Sequence, residues 1–367
     1  MNIKKRIPAV VLAAILGVAT LAGCSASSNK ADTSGKAAEA PKAAVSSTSA
    51  EGGYNLDEVQ ERELTLGDRM GENHIMGRTQ IKFAETVKEL SGGKIQYVKF
   101  LSGEVETGGN HIKDMYSTGV INSARGQLEL LGYYGYDKGA AFGLPYLFDN
   151  RDHFWKFADS DLADEILEDI NSQGWGLVAL SYIEEGARHF FTTKEMDSYE
   201  DLAGRKIRVQ PSEIYIALVE SFGASATPMA WPEVYGALST GVVDGAENPY
   251  SGYSASLLNE VAPYILEDGH IFAGGFLAVG EKLWNDLSDT EKAIFKEAAK
   301  VASDYNREEN QSDEEELKVK LEEEGVKIIT LSDSEKEAIF EMVQPLYEQF
   351  AGDQMDLVEE IRAMKLK

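Results

Sequence analysis

The run Lys206-Ile207-Arg208-Val209 is where the residue types of this chain most directly suggest chemistry. In an extended strand successive side chains alternate, so Ile207 and Val209 point to one face and Arg208 to the other. A guanidinium held there offers a planar fork of donors that can grip a carboxylate through two parallel hydrogen bonds. Each such bond contributes roughly 1.5–3 kcal/mol net, a large share of the ~8 kcal/mol that micromolar binding requires. An edge-strand arginine in water fits the same residues, and they leave both readings open. Downstream, Trp231 adds a broad apolar face with a single N–H donor.

Enzymatic chemistry finds little support. The chain has no G-x-S-x-G nucleophile elbow, H-E-x-x-H zinc helix, phosphate loop or EF-hand loop. His74, His111, His153, His189 and His270 show no pairwise ligand spacing, and one cysteine, Cys24, excludes both an internal disulfide and a zinc-thiolate cluster. Acidic pairs such as Asp159/Asp161 or Asp164/Glu165 arise by chance in a chain with 62 Asp and Glu. The expectation is a binding protein without catalytic residues, metal or cofactor. A surface-anchored hydrolase is the remaining enzymatic alternative.

The elements that must position these residues alternate as an α/β fold requires. Strand patterns cover 63–67 and 94–101, with a helix between them that carries Met76, Phe83, Val87 and Leu90 and stops at Ser91-Gly92-Gly93. A short helix near His111–Ser117 and a strand around 119–124 follow, then the apolar turn 142–148. One helix is expected over 151–172, with Phe154, Phe157, Leu162, Ile166 and Ile170 on its core-facing stripe. The segment LVALSYIEEGARHFFTT reads as a long strand or a strand pair, and a helical turn at 199–204 leads into a strand at 205–209. Helices are expected at 212–222 and 232–240, with Met229 and Tyr235 in the core. Thr290–Glu324, free of Gly and Pro, reads as an extended, largely solvated helix.

The N-terminus has the form of an export signal. Lys4, Lys5 and Arg6 precede an apolar run, and Leu21-Ala22-Gly23-Cys24 has the pattern of a lipobox, so Cys24 is expected to be cleaved before and lipidated. Residues 1–23 would be the lipoprotein signal peptide, and the Ser, Ala, Lys and Thr tract 24–53 a disordered tether. The net charge is −27. Without Lys4, Lys5 and Arg6 it is 32 − 62 = −30, which argues against nucleic acid or anionic lipid surfaces as partners. A small anionic ligand is compatible, because a buried site is governed by its nearest charges. A monomer is the working expectation.

The ordered set Gly204, Lys206, Arg208, Val209, Gly223, Ala224, Pro228, Met229, Trp231, Glu233, Val234, Tyr235, Ala237, Leu238, Val243, Asp244, Gly245, Glu247, Asn248 and Pro249 carries a family likeness. It resembles the solute-binding receptors of tripartite ATP-independent periplasmic (TRAP) transporters, the dicarboxylate-receptor or DctP-like family, here in a lipoprotein form. Gly186-Ala187-Arg188-His189-Phe190 and Leu144-Pro145-Tyr146-Leu147-Phe148 are similar to two further segments of that family, and Phe83–Leu90 running into Ser91–Ile95 to its first helix and second strand. Gln210-Pro211-Ser212 departs from the family's V-P-x-S turn.

The resemblance implies a two-lobed fold of the periplasmic-binding-protein kind, with a cleft between the lobes and a long helix spanning both. One lobe would take residues 54–185 plus 274–313, and the other 186–273 plus 314–367. Arg208 would grip the ligand carboxylate, Arg188 would be a second cleft arginine, Asn248 a hydrogen-bonding partner and Trp231 an aromatic wall. Glu247 would orient Arg208 or a ligand hydroxyl. From the first lobe the resemblance points to Arg69, Glu72, His74, Arg125, Gly126 and Gln127. Arg69 and Arg125 would meet a second carboxylate on a dicarboxylate ligand, or be solvated or paired to acidic neighbours. The implied function is capture of a small organic acid, a dicarboxylate, keto acid or sugar acid, outside the cytoplasm and at the cell membrane. Delivery would be to TRAP membrane subunits. An ATP-driven importer or a sensor kinase is the alternative partner.

Overall fold

The computed structural model describes residues 53–102 and 119–364. The expected signal peptide, Cys24, all of the tether but Gly53, and the helix at His111–Ser117 lie outside the described residues. Among the described residues no helix is long and apolar enough to cross a membrane.

Among the described residues nine strands form one mixed sheet. They are β1 (Arg62–Asp68), β2 (Ile95–Ser102), β3 (Ser123–Gln127), β4 (Leu177–Thr192), β5 (Lys206–Val209), β6 (Ser225–Pro228), β7 (Gly245–Asn248), β8 (Tyr264–Gly280) and β9 (Lys327–Thr330). The strand order is β2-β1-β3-β8-β4-β7-β5-β6, with β9 beside β8. β4 and β8, of 16 and 17 residues, form a long antiparallel pair of about 55 Å that carries the whole sheet. Their first-half and second-half partners differ. β3 pairs with the end of β8, and β7 with the end of β4.

The register of β4 against β8 shifts between Glu184 and Gly186, so that Glu184 faces Gly274, Gly186 faces Ala273, and Glu185 is the extra residue of a bulge. Gly186 takes φ +104°, a backbone conformation that a Cβ strains, and its Cβ would stand 2.7 Å from Glu314 Oε2. The bulge turns consecutive carboxylates apart: Glu184 towards a helix on one face, and Glu185 into the cluster described below.

Helices cover both sides of the sheet. α1 (Ile75–Leu90) is capped by His74, whose Nδ1 accepts from the Met76 N–H at 3.2 Å. The helix expected over 151–172 is two, α2 (Arg151–Ala158) and α3 (Asp161–Ser172). Ser160 breaks it by accepting the Ala163 N–H as the cap of α3, the role for which a serine hydroxyl is suited. The strand expected at 119–124 lies at 123–127, because pairing of Ser123 to Val279 through Gln127 to Gly275 fixes it there. The segment after Gly176 is a single strand rather than a pair.

α4 (Glu213–Ser221), α5 (Val234–Ser239), α6 (Tyr250–Ala255) and α7 (Glu281–Asp286) follow. Tyr235 is 39% exposed and bonds Glu260 instead of entering the core, and Met229 is only partly buried. α8 (Asp289–Glu323) has 35 residues, about 52 Å of helix. It is less solvated than its composition suggests. Ile294, Phe295, Ala298, Ala299 and Ala302 form a buried stripe against α1 and β4, continued at four-residue spacing by the buried Asn306 and Asn310. Further along, Lys318 pairs with Glu267 of β8, so one helix reaches both ends of the long strand pair. α9 (Asp333–Ala351) and α10 (Met355–Ala363) close the chain over the largest apolar core, which joins Phe142, Phe148, Phe154 and Ile166 to Ile207, Tyr215, Leu218 and Val343.

Candidate functional site

β5 is an interior strand between β6 and β7, and Ile207, Arg208 and Val209 are all buried. This rules out the solvated edge-strand arginine. Arg208 is 2% exposed; its Nε and one terminal nitrogen both donate to the Met229 carbonyl at 2.9 and 2.6 Å. Its other terminal nitrogen is buried without a hydrogen-bond partner, 4.0 Å from Glu247 Oε1. Trp231 lies with its ring 5.3 Å from the guanidinium carbon. The indole therefore braces the arginine by a cation–π contact. Burial, reinforced by Arg188 and Arg69 against the pull of Glu247, lowers the Arg208 pKa to about 9, which still leaves it charged at neutral pH.

Arg188 on β4 and Glu247 on β7 form a buried two-point ion pair, Nε to Oε2 at 2.5 Å and Nη2 to Oε1 at 3.1 Å. Burial alone would raise the Glu247 pKa, but Arg188 and His270 outweigh it and hold the carboxyl at about 2. His270 stands between Glu247 Oε2 at 3.5 Å and Asp268 Oδ2 at 2.9 Å and stacks on Phe190 at 4.3 Å. Its own pKa is raised: burial acts to lower it, and Asp268 and Glu247 prevail. Glu247 is thus fixed chiefly on Arg188, with Arg208 as its more distant neighbour. The remaining Arg188 nitrogen, Nη1, has no partner.

From the other side, Arg125 on β3 is buried rather than solvated, bonds Asp68 at 3.0 Å and approaches Glu185 at 3.3 Å, so it pairs with acidic neighbours. Its Nη2 is buried and unpaired. His74 Nε2 lies 3.6 Å from Glu185 Oε1 without a hydrogen bond, and burial lowers the His74 pKa. Neither Glu185 oxygen has a hydrogen-bond partner, yet Arg125, His74, Arg69 and Arg188 overcome the effect of burial and hold this carboxyl at about 2. Arg69 is partly exposed at the end of β1 with its Nε buried and unpaired, and burial together with Arg125 lowers its pKa. Gln127 is buried and donates to Glu129 Oε1 at 3.0 Å. Gly126 serves packing, since a Cβ there would lie 2.1 Å from the Phe276 ring.

The structure thus brings Arg69, Arg125, Arg188, Arg208, His74, Glu247 and Asn248 into one buried neighbourhood. Glu72 is exposed on the loop before α1. Asn248 ends β7 with its Oδ1 buried and unpaired, and it lies so close to α6 that a Cβ on Gly252 would fall 2.1 Å from that oxygen. Asp68, Glu129, Glu185, Asp268 and His270 also belong to this neighbourhood and are not among the site residues expected from the sequence. A legible signal existed for some of them. Glu184-Glu185 interrupts an apolar strand run, as do Asp268 and His270 in β8, and charged residues in a strand buried on both faces demand partners.

Arg69, Arg125, Arg188 and Arg208 each carry a buried N–H without a hydrogen-bond partner. Buried polar groups are normally paired, and such a concentration of free donors has the chemistry to hold an anion. Among the described residues no group of His, Cys, Asp and Glu could hold a metal ion.

Similarity to known proteins agrees with this geometry. Residues 66–353 match the profile of bacterial extracellular solute-binding protein family 7 (DctP). A solute-binding protein of Chromohalobacter salexigens is 32% identical over 58% of this chain and 63% of its own length. The sialic acid-binding periplasmic protein SiaP of Vibrio cholerae is 29% identical over 73% of this chain and 81% of its own length. Among solved structures, a TRAP periplasmic solute-binding protein of Chromohalobacter salexigens with bound D-glucuronate superposes with a TM-score of 0.76, at 27% identity, over 82% of this chain and 100% of that one. One from Haemophilus influenzae with bound L-gulonate gives 0.75 at 26% identity, covering 83% and 99%. The α/β, two-lobed receptor fold expected from the sequence is the fold of these structures, and the chain belongs to the DctP family of extracytoplasmic solute-binding receptors, whose role is binding and not catalysis.

Proposed function

We propose that this protein captures a sugar acid, a monocarboxylate carrying several hydroxyls, and presents it to the membrane subunits of a TRAP transporter. The observation that carries the reading is the pairing of unsatisfied donors with unsatisfied acceptors in one neighbourhood. The free N–H groups of Arg188 and Arg208 call for a carboxylate, while the two partnerless oxygens of ionised Glu185 call for hydroxyl donors. A dicarboxylate would satisfy the arginines but place its second anion against Glu185, at a cost in Coulomb repulsion in a low-dielectric site. The sugar acids bound by the similar structures, D-glucuronate and L-gulonate, have the composition this arrangement asks for. In this reading Arg208, Arg188 and Asn248 hold the carboxylate, Arg125, Arg69, His74 and Gln127 frame the hydroxyls with Glu185, and Trp231 braces Arg208.

We place the division between lobes at the Glu185 bulge and its partner step 273/274, giving 54–185 plus 274–313 and 186–273 plus 314–367. Support comes from the change of strand partners and the register shift there. Ligand contacts from both sides would favour a closed form over an open one. Cys24, preceded by LAG, is the proposed diacylglycerol attachment point, which would keep a monomeric receptor at the outer face of the cell membrane. Replacing Cys24 by Ala should release the protein from the membrane fraction, and unchanged membrane association would remove the anchor from the reading.

The test of the ligand class is calorimetric titration of the soluble body with glucuronate, galacturonate, gluconate, succinate and pyruvate, beside Arg208→Ala. Sugar-acid binding that the variant weakens at least a hundredfold supports the reading. Preference for succinate, or equal binding by the variant, overturns it.

A further inference from the structure

A second feature lies next to this cluster and is not explained by it. Glu129 follows directly from β3, the strand of Arg125, and is 3% exposed. One carboxyl oxygen accepts from Gln127, and the other, Oε2, is buried without any protein partner. Burial raises its pKa to about 7, against the opposing influence of Arg188. The protein therefore keeps a carboxyl here without the bonds that would make its charge comfortable.

Glu129 lines a cavity of about 360 Å³ together with Tyr133, Gly143, Ser212, Ile214 and Phe350. That volume lies within the ordinary range of small-molecule sites. Its walls come from the segments leaving the carboxyl ends of β3 and β5, the strands that carry Arg125 and Arg208, which is where open α/β sheets collect their ligands. One wall, 129–143, precedes the bulge in β4, and the other, 212–214, follows it. Tyr133 lines the same cavity and is 53% exposed; one side of its ring meets Tyr134 edge-on at 5.9 Å, and the rest is an aromatic surface open to a ligand. An inward carboxyl beside an outward aromatic ring matches a polyhydroxylated ligand: hydroxyls bond the one, and the apolar C–H face of the sugar covers the other.

We propose that this cavity is the distal subsite of the receptor, taking the uncharged, hydroxyl-rich end of the acid whose carboxylate lies at Arg208, and that Glu129 is its specificity-determining residue. The proposal rests on the sugar-acid reading above and assigns it a length requirement. Acids long enough to reach Glu129 gain a contact that short hydroxy acids do not.

The test is calorimetric titration of the wild-type soluble body, Glu129→Gln and Tyr133→Ala with glucuronate, gluconate and the four-carbon acid threonate. Tyr133 is exposed, so its variant remains informative if the change at Glu129 disturbs folding. The expected result is a ten- to hundredfold loss for the six-carbon acids in Glu129→Gln, a several-fold loss in Tyr133→Ala, and little change for threonate in either. Six-carbon acids bound by Glu129→Gln as tightly as by wild type would overturn the subsite and leave the sugar-acid reading standing. Parallel weakening of long and short acids would also overturn it, as a general electrostatic effect on the arginines. Wild-type protein that binds no sugar acid would overturn both.

Discussion

Glu184 and Glu185 are consecutive, equally buried and identical in chemistry, yet the two faces of β4 treat them differently. Behind the sheet, Glu184 is enclosed by partners: Arg151 at 2.6 Å, Asn310 at 2.8 Å, and its own backbone N–H and C=O held by Asn306. In front, Glu185 has charges around it and no hydrogen bond. Their pKa values follow the surroundings. Burial lifts Glu184 to about 7 despite Arg151, with Glu314 adding to the rise, whereas Arg125, His74, Arg69 and Arg188 together outweigh burial at Glu185 and hold it at about 2. The rear network is saturated and ties α8 to the strand, as a structural joint does. The front one is electrostatically primed but geometrically incomplete, as a binding site is.

The largest expected effect comes from breaking the two-point Arg188–Glu247 pair on the front face. Arg188→Ala would leave Glu247 as a buried charge with only His270 and the more distant Arg208 beside it, and should cost about 3–5 kcal/mol of stability along with ligand binding. Chemical denaturation checks it. A loss of affinity at unchanged stability would mean that the pair is part of the site alone and not of the fold.

The two glutamates should then give opposite pH signatures. Glu185 is held below its ordinary value, so its contribution is present above about pH 4.5 and lost as pH falls towards 2, an upper limit of about 3 kcal/mol by linkage. Glu184 is held above its ordinary value, so its contribution is complete below about pH 4.5 and lost as pH rises through 7. Stability measured against pH for wild type, Glu185→Gln and Glu184→Gln should show the acid-side loss flattened in the first variant and the neutral-side loss flattened in the second. Identical profiles for both would dissolve the contrast between the faces.

Asn306→Ala tests the rear face alone. It removes the acceptor for the Glu184 N–H and a donor to its carbonyl, bonds of 2.7 and 3.1 Å, and should cost about 1–3 kcal/mol. Sugar-acid affinity at a temperature where both proteins are folded should be unchanged. A tenfold affinity loss would show that α8 and the bulge act together in binding.

The contrast between faces also marks how far the sequence could be read. Periodicity placed α1 and β5 within a residue or two, because each has one apolar stripe or alternation and a clear boundary such as Ser91-Gly92-Gly93, while the ends of α8 followed from a run free of Gly and Pro up to Gly325. It missed the break at Ser160, where the stripe of α2 runs on in register into α3 and only the hydroxyl cap separates them. The family pattern pointed to Arg208, Arg188, Glu247 and Asn248, which lie within one run of sequence and which the fold gathers in one buried neighbourhood. It could not show that Glu247 is held by Arg188, nor that Glu185 and Glu129 join the cluster. Those depend on a bulge and on strand pairing across 57 or more residues, contacts that leave no local period.

The smallest effect expected is the sharpest probe of the front face. Gly252 lies in α6 with helical geometry, so alanine there suits the backbone and even favours the helix. The obstacle is the neighbour: a Cβ would lie 2.1 Å from Asn248 Oδ1 and 3.0 Å from its Cγ, so the amide must rotate away or α6 must shift. Asn248 Oδ1 has no protein partner to lose, so rotating it breaks no bond within the fold. Gly252→Ala should therefore change melting by little and weaken ligand by about tenfold, the loss of one well-placed hydrogen bond. If instead melting falls by many degrees while the remaining folded protein binds normally, Gly252 is there for the packing of α6 on β7, and Asn248 belongs with the rear face's kind of residue rather than with the site.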